Sequence, residues 1–546
     1  MDNNNYQNII AGGGIAGLVT ALELLQAGQN VCLIDRDTPE RLGGLARWAF
    51  GGMALCNTEQ QKKMSIPDEP ARMLKDWHSF AEFTEADHWP KQWAKEYAEH
   101  NHEKVYLWLK QLGCKFLPAV NWVERGLFVS GNSLPRYHVL WGTGWGLIET
   151  IIAALKPYID NESLVILHQH KVLSLISTEQ GITGVNVIDE AQSANTQQNE
   201  TISSFEIFGE NTIVACGGIN GSLARVKANW YKAWGEPPSQ LLNGANPISD
   251  GALHDAVNAI GGTITREQNM WNYAAGIAHP QPDFEQHGLS LIPCKSALWL
   301  NHLGERIGPQ PLMTCFDTHY LCEQVAKQEK PWTWQILNWK IAAKELAVSG
   351  SLHNPSIRDK KTLTFLKEVL FGNHRLVKQL EQESDDFITA DSIDELVKQM
   401  NAQTEQAYID KATLLQTIEH YDSNFVDGQT FENDDQIRRL RHLRQWKTDK
   451  LRTCVPKPIL DPKAGKLIAI KVQLISRKSL GGVQTNLQSQ VLNQQEQVIP
   501  NLYCVGEAAG FGGGGASGKR SLEGTFLSGC ILTARNAAQA IIADKN

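Results

Sequence analysis

Gly12-x-Gly14-x-x-Gly17, with an acid following at Asp35, is the spacing in this chain that most directly specifies chemistry. Residues 7–11 (QNIIA) form a short apolar run suited to a buried parallel strand. Gly12 permits a tight turn there, Gly14 lets a pyrophosphate approach the backbone, and Gly17 lets helix and strand pack closely. A helix is predicted over residues 15–27, with its first amides aimed at the phosphates. A second strand, Asn30–Ile34, delivers Asp35. An acid there suits the free hydroxyls of an adenosine ribose and repels a ribose phosphate, so FAD or NAD fits better than NADP. The far end of the chain, Asn501 to Cys530, reads as a strand ending in Gly506-Glu507, a glycine-rich loop and a helix. A nucleotide site built from both ends of a long chain suggests a flavoprotein with a large insertion.

The elements that must position these residues are many. A chain of 546 residues implies more than one domain. Its net charge of −8 is spread without long blocks, which argues against a nucleic-acid surface. The exception, Arg438 to Arg452, reads as one amphipathic helix with a solvated or cofactor-facing surface. The 10 cysteines are scattered without a CxxC, so no zinc, iron–sulfur or haem pattern appears and no metal site is expected. A reduced, cytoplasmic compartment is the simplest reading. The polar start MDNNNYQ leads straight into a strand and carries no signal peptide. No run of about 20 uninterrupted apolar residues exists, so no transmembrane segment is expected.

Residues 43–53 form a second glycine-rich loop, 67–112 read as helical, and 164–176 as strands. The polar segment 189–204 is predicted as an exposed hairpin tip, 205–218 as a strand and small-residue turn, and 246–262 as a turn and short helix with a glycine stop. From 263 to 455 strand-like pieces alternate with long helical stretches, which reads as a separate cap domain. The organisation expected is therefore 1–262 and 456–546 for the nucleotide domain and 263–455 for the cap.

GGGIAGL with Asp35, GGLARWAFGG, TIVACGG, SDG and NLYCVGEAAG occur in that order. With them the chain resembles the fumarate reductase/3-ketosteroid dehydrogenase class of FAD-dependent oxidoreductases. GNSLPRYHVLWGTGWG, MWNYAAGI, SRKSLGGV and GFGGGGASGKRSLEGTFLSGC extend the resemblance to a bacterial subgroup of FAD-binding dehydrogenases. The resemblance covers nearly the whole chain. It implies an α/β fold: a Rossmann-like, glutathione-reductase-type FAD-binding domain with an inserted α+β capping domain, and substrate between them against the flavin. It also implies that Gly12, Gly14 and Gly17 hold the pyrophosphate and Asp35 the ribose. Gly43, Gly44, Gly51 and Gly52 would line the pyrophosphate and flavin edge, and Val172 would offer backbone to the adenine. Ala215 and Gly217 would pass close to the nucleotide, while Asp250 and Glu507 would bind polar groups along it. The helix starting near Gly524 would point at the flavin pyrimidine ring and stabilise the charge of reduced flavin. Ala16, Arg36, Gly506, Thr525 and Phe526 complete the implied cofactor set. Some relatives attach FAD through a His before the second GG; Leu45 stands at that position, so non-covalent FAD is expected.

The reaction of such proteins moves a hydride between a substrate carbon and flavin N5, while a side chain adds or removes a proton on the neighbouring carbon. Tyr137 resembles one of the tyrosines of ketosteroid dehydrogenases; it faces substrate or packs as a core tyrosine. Tyr273 is a second candidate, or part of an aromatic cluster. The later dehydrogenase tyrosine has no counterpart in Ala469–Ser476. Where fumarate reductases carry a His, Arg477 stands, which disfavours a fumarate-like dicarboxylate. Arg520 resembles their late arginine and either binds a substrate oxyanion or flavin, or pairs with Glu523. His138 orients a carbonyl or is a satisfied core histidine. The abundance of Trp leads to a bulky, hydrophobic, carbonyl-bearing substrate, with an external electron carrier. Two other classes remain open: a non-redox FAD-containing hydratase or isomerase, and a flavin-bearing binding protein.

Overall fold

The computed structural model of the chain describes residues 5–191, 204–426 and 428–545 and comprises two compact units. The hairpin tip expected at 189–204 falls for the most part, over 192–203, outside the described residues.

The first unit comprises Met1–Asn229, Ala245–Trp271 and Lys478–Asn546. Its organising strand is Asn5–Ala11, in which Asn8, Ile9, Ile10 and Ala11 are all buried. This strand pairs in parallel with Val31–Ile34 on one side and Phe205–Val214 on the other. Leu164–Leu167 extends the sheet beyond Val31–Ile34, and Val498–Cys504 extends it beyond Phe205–Val214, both in parallel. A parallel sheet buried on both faces needs near-continuous apolar runs, and NIIA, VCLI and LVIL supply them. The first and last parts of the chain thus meet in one sheet. The His170–Thr178 and Gly181–Asp189 hairpin pairs with the start of Phe205–Val214. A smaller sheet joins Gly52–Ala54, Tyr137–Leu140 and Phe116–Asn121.

The Ile15–Gln26 and Thr525–Ala543 helices pack on each other. The second is long and apolar enough to cross a bilayer, yet 67% of that stretch is buried within the chain, as for a core helix. The 67–112 stretch is broken into Pro70–Ala81, His88–His100 and Trp108–Gln111. Glu82 ends the first in a left-handed conformation, and a π-helical segment, Asn101–Leu107, precedes the last.

The second unit, Trp230–Gly244 and Asn272–Arg477, is α+β. Its central strand is Leu467–Ser476, which pairs antiparallel with Trp332–Asn338, Tyr273–Ala278 and Phe387–Ala390, and in parallel with Leu242–Asn243. These pairings move the boundaries from those expected at 263 and 455. Leu467–Ser476 is the spine of the second unit, so the chain returns to the first only at Lys478. Residues 263–271 stay with the first unit, where Ile264–Thr265 pairs with Gly482–Val483. In the basic helix Asp435–Gln445, Arg438 and Arg439 pair with Asp435 and Arg441 with Glu432. Its charge is largely neutralised by neighbouring acids.

Candidate functional site

Two glycine loops of the first unit lie side by side. Gly43 donates its N–H to the Gly13 carbonyl at 2.9 Å, and Gly14 bridges to Gly43 as an isolated parallel pair. Helices begin at Ile15 and at Gly44, so two sets of unpaired first-turn amides start from adjoining loops. The three fingerprint glycines have different duties. A Cβ on Gly17 would stand 2.0 Å from the Gly12 carbonyl oxygen, so helix and strand need a glycine there. A Cβ on Gly12 would stand 2.4 Å from the Ala215 oxygen, at a φ of 120°. A Cβ on Gly14 would meet nothing within 4 Å. Protein packing requires the first two, while the third borders open space.

Asp35 ends the second strand and is buried. One carboxylate oxygen accepts the Gly13 N–H, and the other accepts the Asp37 N–H at 2.7 Å. Burial pushes its carboxyl above the ordinary range, and the two backbone donors oppose that shift. A carboxylate has about four acceptor sites, so it can still take ribose hydroxyls. Arg36 and Asp250 hold each other at 2.9 Å, with Glu190 as the second acid on Arg36. Glu507 accepts the Ser479 N–H at 2.8 Å, and the Ser479 hydroxyl accepts the Ile219 N–H at 2.8 Å. Val172 and Ala215 are buried. Gly217 takes a φ of 78° against Ser249.

Both ends of the chain meet at Gly506, where a Cβ would stand 2.8 Å from that of Ala16. The glycine run that follows is shaped by tryptophans. Cβ atoms on Gly512 and Gly513 would stand 2.4 Å and 2.7 Å from Trp93 and Trp89 atoms, both glycines having positive φ. Trp77 Nε1 donates to the Ala516 carbonyl at 2.8 Å. Beyond the loop, Gly524 at φ 101° caps the 19-residue Thr525–Ala543 helix. Thr525 is buried, and Phe526 lies under Lys478 Nζ at 4.3 Å.

Of the expected acid/base groups, Tyr137, His138 and Arg520 belong to the first unit and Tyr273 and Arg477 to the second. Tyr137 is half-buried with its ring beside two glycines. A Cβ on Gly52 would stand 1.9 Å from its hydroxyl, and one on Gly524 3.0 Å from its ring. Its hydroxyl makes no hydrogen bond with the described residues. Burial pushes the phenol pKa up, and the Glu523 carboxylate adds to the shift.

His138, the next residue in the strand, points the other way and is fully buried. Nε2 is 2.7 Å from the Thr58 hydroxyl and Nδ1 is 2.7 Å from the Arg136 carbonyl. Burial lowers its pKa to about 4. This corrects its expected role on a substrate carbonyl, because neither nitrogen is available. Arg520 forms an ion pair with Glu82, a partner distant in the chain. Glu523 accepts the Trp271 indole N–H at 2.8 Å. Sequence reasoning named Glu523 only as an arginine partner and passed over Trp271, whose sole signal was its place in MWNY. In the second unit, the Arg477 guanidinium lies 5.7 Å from the Tyr273 ring centroid and donates to the Gly244 carbonyl at 2.6 Å.

Residues 8–527 match the model of the FAD-binding domain family. The chain belongs to this family. FAD is its cofactor, and the protein is an FAD-dependent oxidoreductase. The residues fit such a group: paired glycine loops at two helix starts, open space at Gly14, and an acid rather than a base at the ribose position. Over 547 residues the chain is 36% identical to a KsdD-like steroid dehydrogenase of Mycobacterium tuberculosis, covering 98% of this chain and 95% of that one. It is 35% identical to one of Mycolicibacterium smegmatis, covering 95% of each. The fold is shared with the 3-ketosteroid delta1-dehydrogenase of Sterolibacterium denitrificans, with TM-score 0.69, 14% identity, and 99% and 100% of the two chains covered. It is also shared with a flavocytochrome c3 fumarate reductase, with TM-score 0.67, 18% identity, and 99% and 78% covered.

Proposed function

We propose that this flavoprotein dehydrogenates a saturated C–C bond next to a carbonyl, or reduces the corresponding enone, in a bulky hydrophobic substrate of the ketosteroid class. The observation that carries the reading is Tyr137: a phenol with no hydrogen-bond partner among the described residues, set between two glycines beside the start of the long C-terminal helix. Whole-length similarity to steroid dehydrogenases supports the substrate class.

When bound, FAD supplies the hydride acceptor or donor. Gly14 would leave room for the pyrophosphate where the two glycine loops adjoin, and Asp35 would accept hydrogen bonds from the ribose hydroxyls. Gly524 opens the Thr525–Ala543 helix, whose first amides favour negative charge. Raised by burial, the Tyr137 phenol stays protonated near neutral pH. It donates a hydrogen bond to the substrate carbonyl oxygen, or a proton to carbon in the reductive direction. Glu523, fixed by Trp271, holds negative charge near that phenol and disfavours its ionisation. Tyr273, with the Arg477 cation over its ring, is the second acid/base candidate. His138 and Arg520 hold structure through the partners described above. The cofactor is held without a covalent bond, and an external carrier removes or supplies the electrons. A cytoplasmic location accords with ten free thiols.

The test is an anaerobic titration of the holoenzyme with saturated 3-ketosteroids and their enones. Bleaching of oxidised flavin by a saturated ketone, or reoxidation of reduced flavin by an enone, is expected. A flavin that dithionite reduces but no such compound alters would refute the proposal and favour the non-redox readings.

A further inference from the structure

In the second unit, the helix Thr362–Phe371 (TLTFLKEVLF) contains no buried residue. Its apolar side chains are on the outside: Leu363 is 77% exposed, Phe371 76%, Leu370 60% and Leu366 46%. At 3.6 residues per turn these four, with Lys367 among them, fall on one face. The half-buried residues Phe365, Glu368 and Val369 fall on the opposite face. Glu368 ties that inner side down, accepting the Ser356 hydroxyl at 2.5 Å and lying 3.6 Å from Arg375. The helix is thus inverted relative to an ordinary surface helix, which turns its apolar stripe inward.

The helix and its immediate flanks are basic along the chain, with acids resuming at Glu381 and Glu383. Residues 355–378 carry Arg358, Lys360, Lys361, Lys367, Arg375 and Lys378 against only Asp359 and Glu368, in a chain of net charge −8. Arg358 and Lys361 share Asp359. A second copy of the chain is a poor occupant. A two-fold contact would bring the same basic patch against itself, and a stable interface needs about 800 Å² per partner, far more than four side chains. Exposed Leu and Phe interleaved with lysine are the chemistry of a helix lying in the headgroup region of an anionic bilayer.

We propose that the Thr362–Phe371 helix docks the protein on anionic lipid surfaces. Leu363, Leu366, Leu370 and Phe371 enter the acyl boundary, while Lys360, Lys361 and Lys367 meet the headgroups. This goes beyond the proposed reaction and stands whether or not the substrate is steroid-like.

The test is co-sedimentation of the full-length holoprotein with vesicles of phosphatidylcholine, alone or mixed with phosphatidylglycerol. Binding to the mixed vesicles that weakens as salt is raised is expected. L363S/L366S/L370S/F371S should lower the partition coefficient by about 10⁴-fold, at roughly tenfold for each of the four side chains. K360E/K361E/K367E leaves the apolar face intact and should lower it by at least about tenfold. Flavin absorbance and melting temperature report that each variant is folded. No sedimentation with phosphatidylglycerol vesicles, or equal sedimentation of parent and folded variants, overturns the proposal. So does a dimer in sedimentation velocity that the serine variant dissolves, since a second copy then covers the face.

Discussion

Removing one oxygen from Tyr137 separates a chemical role from a structural one. The hydroxyl has no hydrogen-bond partner among the described residues, so Tyr137→Phe leaves no buried donor or acceptor unsatisfied. The ring keeps its place against Gly52 and Gly524, because both approaches are steric. Stability should therefore change by no more than about 0.5 kcal/mol, a shift of a few degrees at most in melting temperature. A phenol acting as hydrogen-bond or proton donor in the transition state contributes about 10²–10⁴ in rate, or roughly 3–5 kcal/mol. The assay is anaerobic stopped-flow absorbance of flavin reduction by a saturated 3-ketosteroid, beside calorimetry of the same sample. A rate within about threefold of the parent, in a folded variant, would refute the role given to Tyr137. A loss of several kcal/mol in stability would show that the hydroxyl has a structural partner after all.

Gly14→Ala should leave the apoprotein as stable as the parent yet weaken FAD binding by at least about tenfold, because its Cβ points into open space that the pyrophosphate needs; fluorescence titration of apoprotein with FAD measures this. Gly17→Ala should instead destabilise the apoprotein itself, by about 2 kcal/mol or more, through its clash with the Gly12 carbonyl; chemical denaturation reads the difference. Gly512→Ala should lower stability similarly, since its Cβ would meet the Trp93 ring at 2.4 Å. The pH dependence follows from His138 and His254, both buried and both lowered to about 4 by burial. Their unfolded forms bind protons near pH 6.5 and the folded forms do not. Stability is thus full above about pH 6.5 and falls as pH drops towards 4, by up to about 3 kcal/mol for each histidine. His138→Gln should flatten the slope in urea denaturation between those limits.

Much of the first unit was legible because its residues work through local backbone geometry. A GxGxxG after an apolar strand and before a helix announces itself within thirty residues, and Asp35 follows at the expected distance. The Gly506-Glu507 turn was legible for the same reason, although its contact with Ala16 joins distant parts of the chain. What the sequence could not convey depends on long-range pairing. Tyr137 and His138 are adjacent and both chemically able; strand alternation places them on opposite faces but does not say which face is the core. Arg520 has a near acid in Glu523, but its ion pair with Glu82, 438 residues away along the chain, is visible only in the fold. The run Gly512–Gly515 suits a cofactor clamp or a packing contact equally, until Trp93 and Trp89 are found against it. The cap ends later than 455 because Leu467–Ser476 pairs with its strands, and it gains 230–244 through Leu242–Asn243, a strand of two residues with no periodicity to detect.

In the proposed oxidation a saturated carbonyl compound would give a hydride to the flavin and lose a proton from the neighbouring carbon to a protein acid/base group. The most direct measurement is an anaerobic single turnover, in which limiting holoenzyme is mixed with a saturated 3-ketosteroid, followed by absorbance and then by mass spectrometry of the extracted steroid. Loss of the oxidised-flavin bands, with one equivalent of product two hydrogens lighter for each flavin bleached, is the result expected. Unchanged flavin bands with a hydrated or isomerised product would contradict the account and assign the protein to non-redox chemistry.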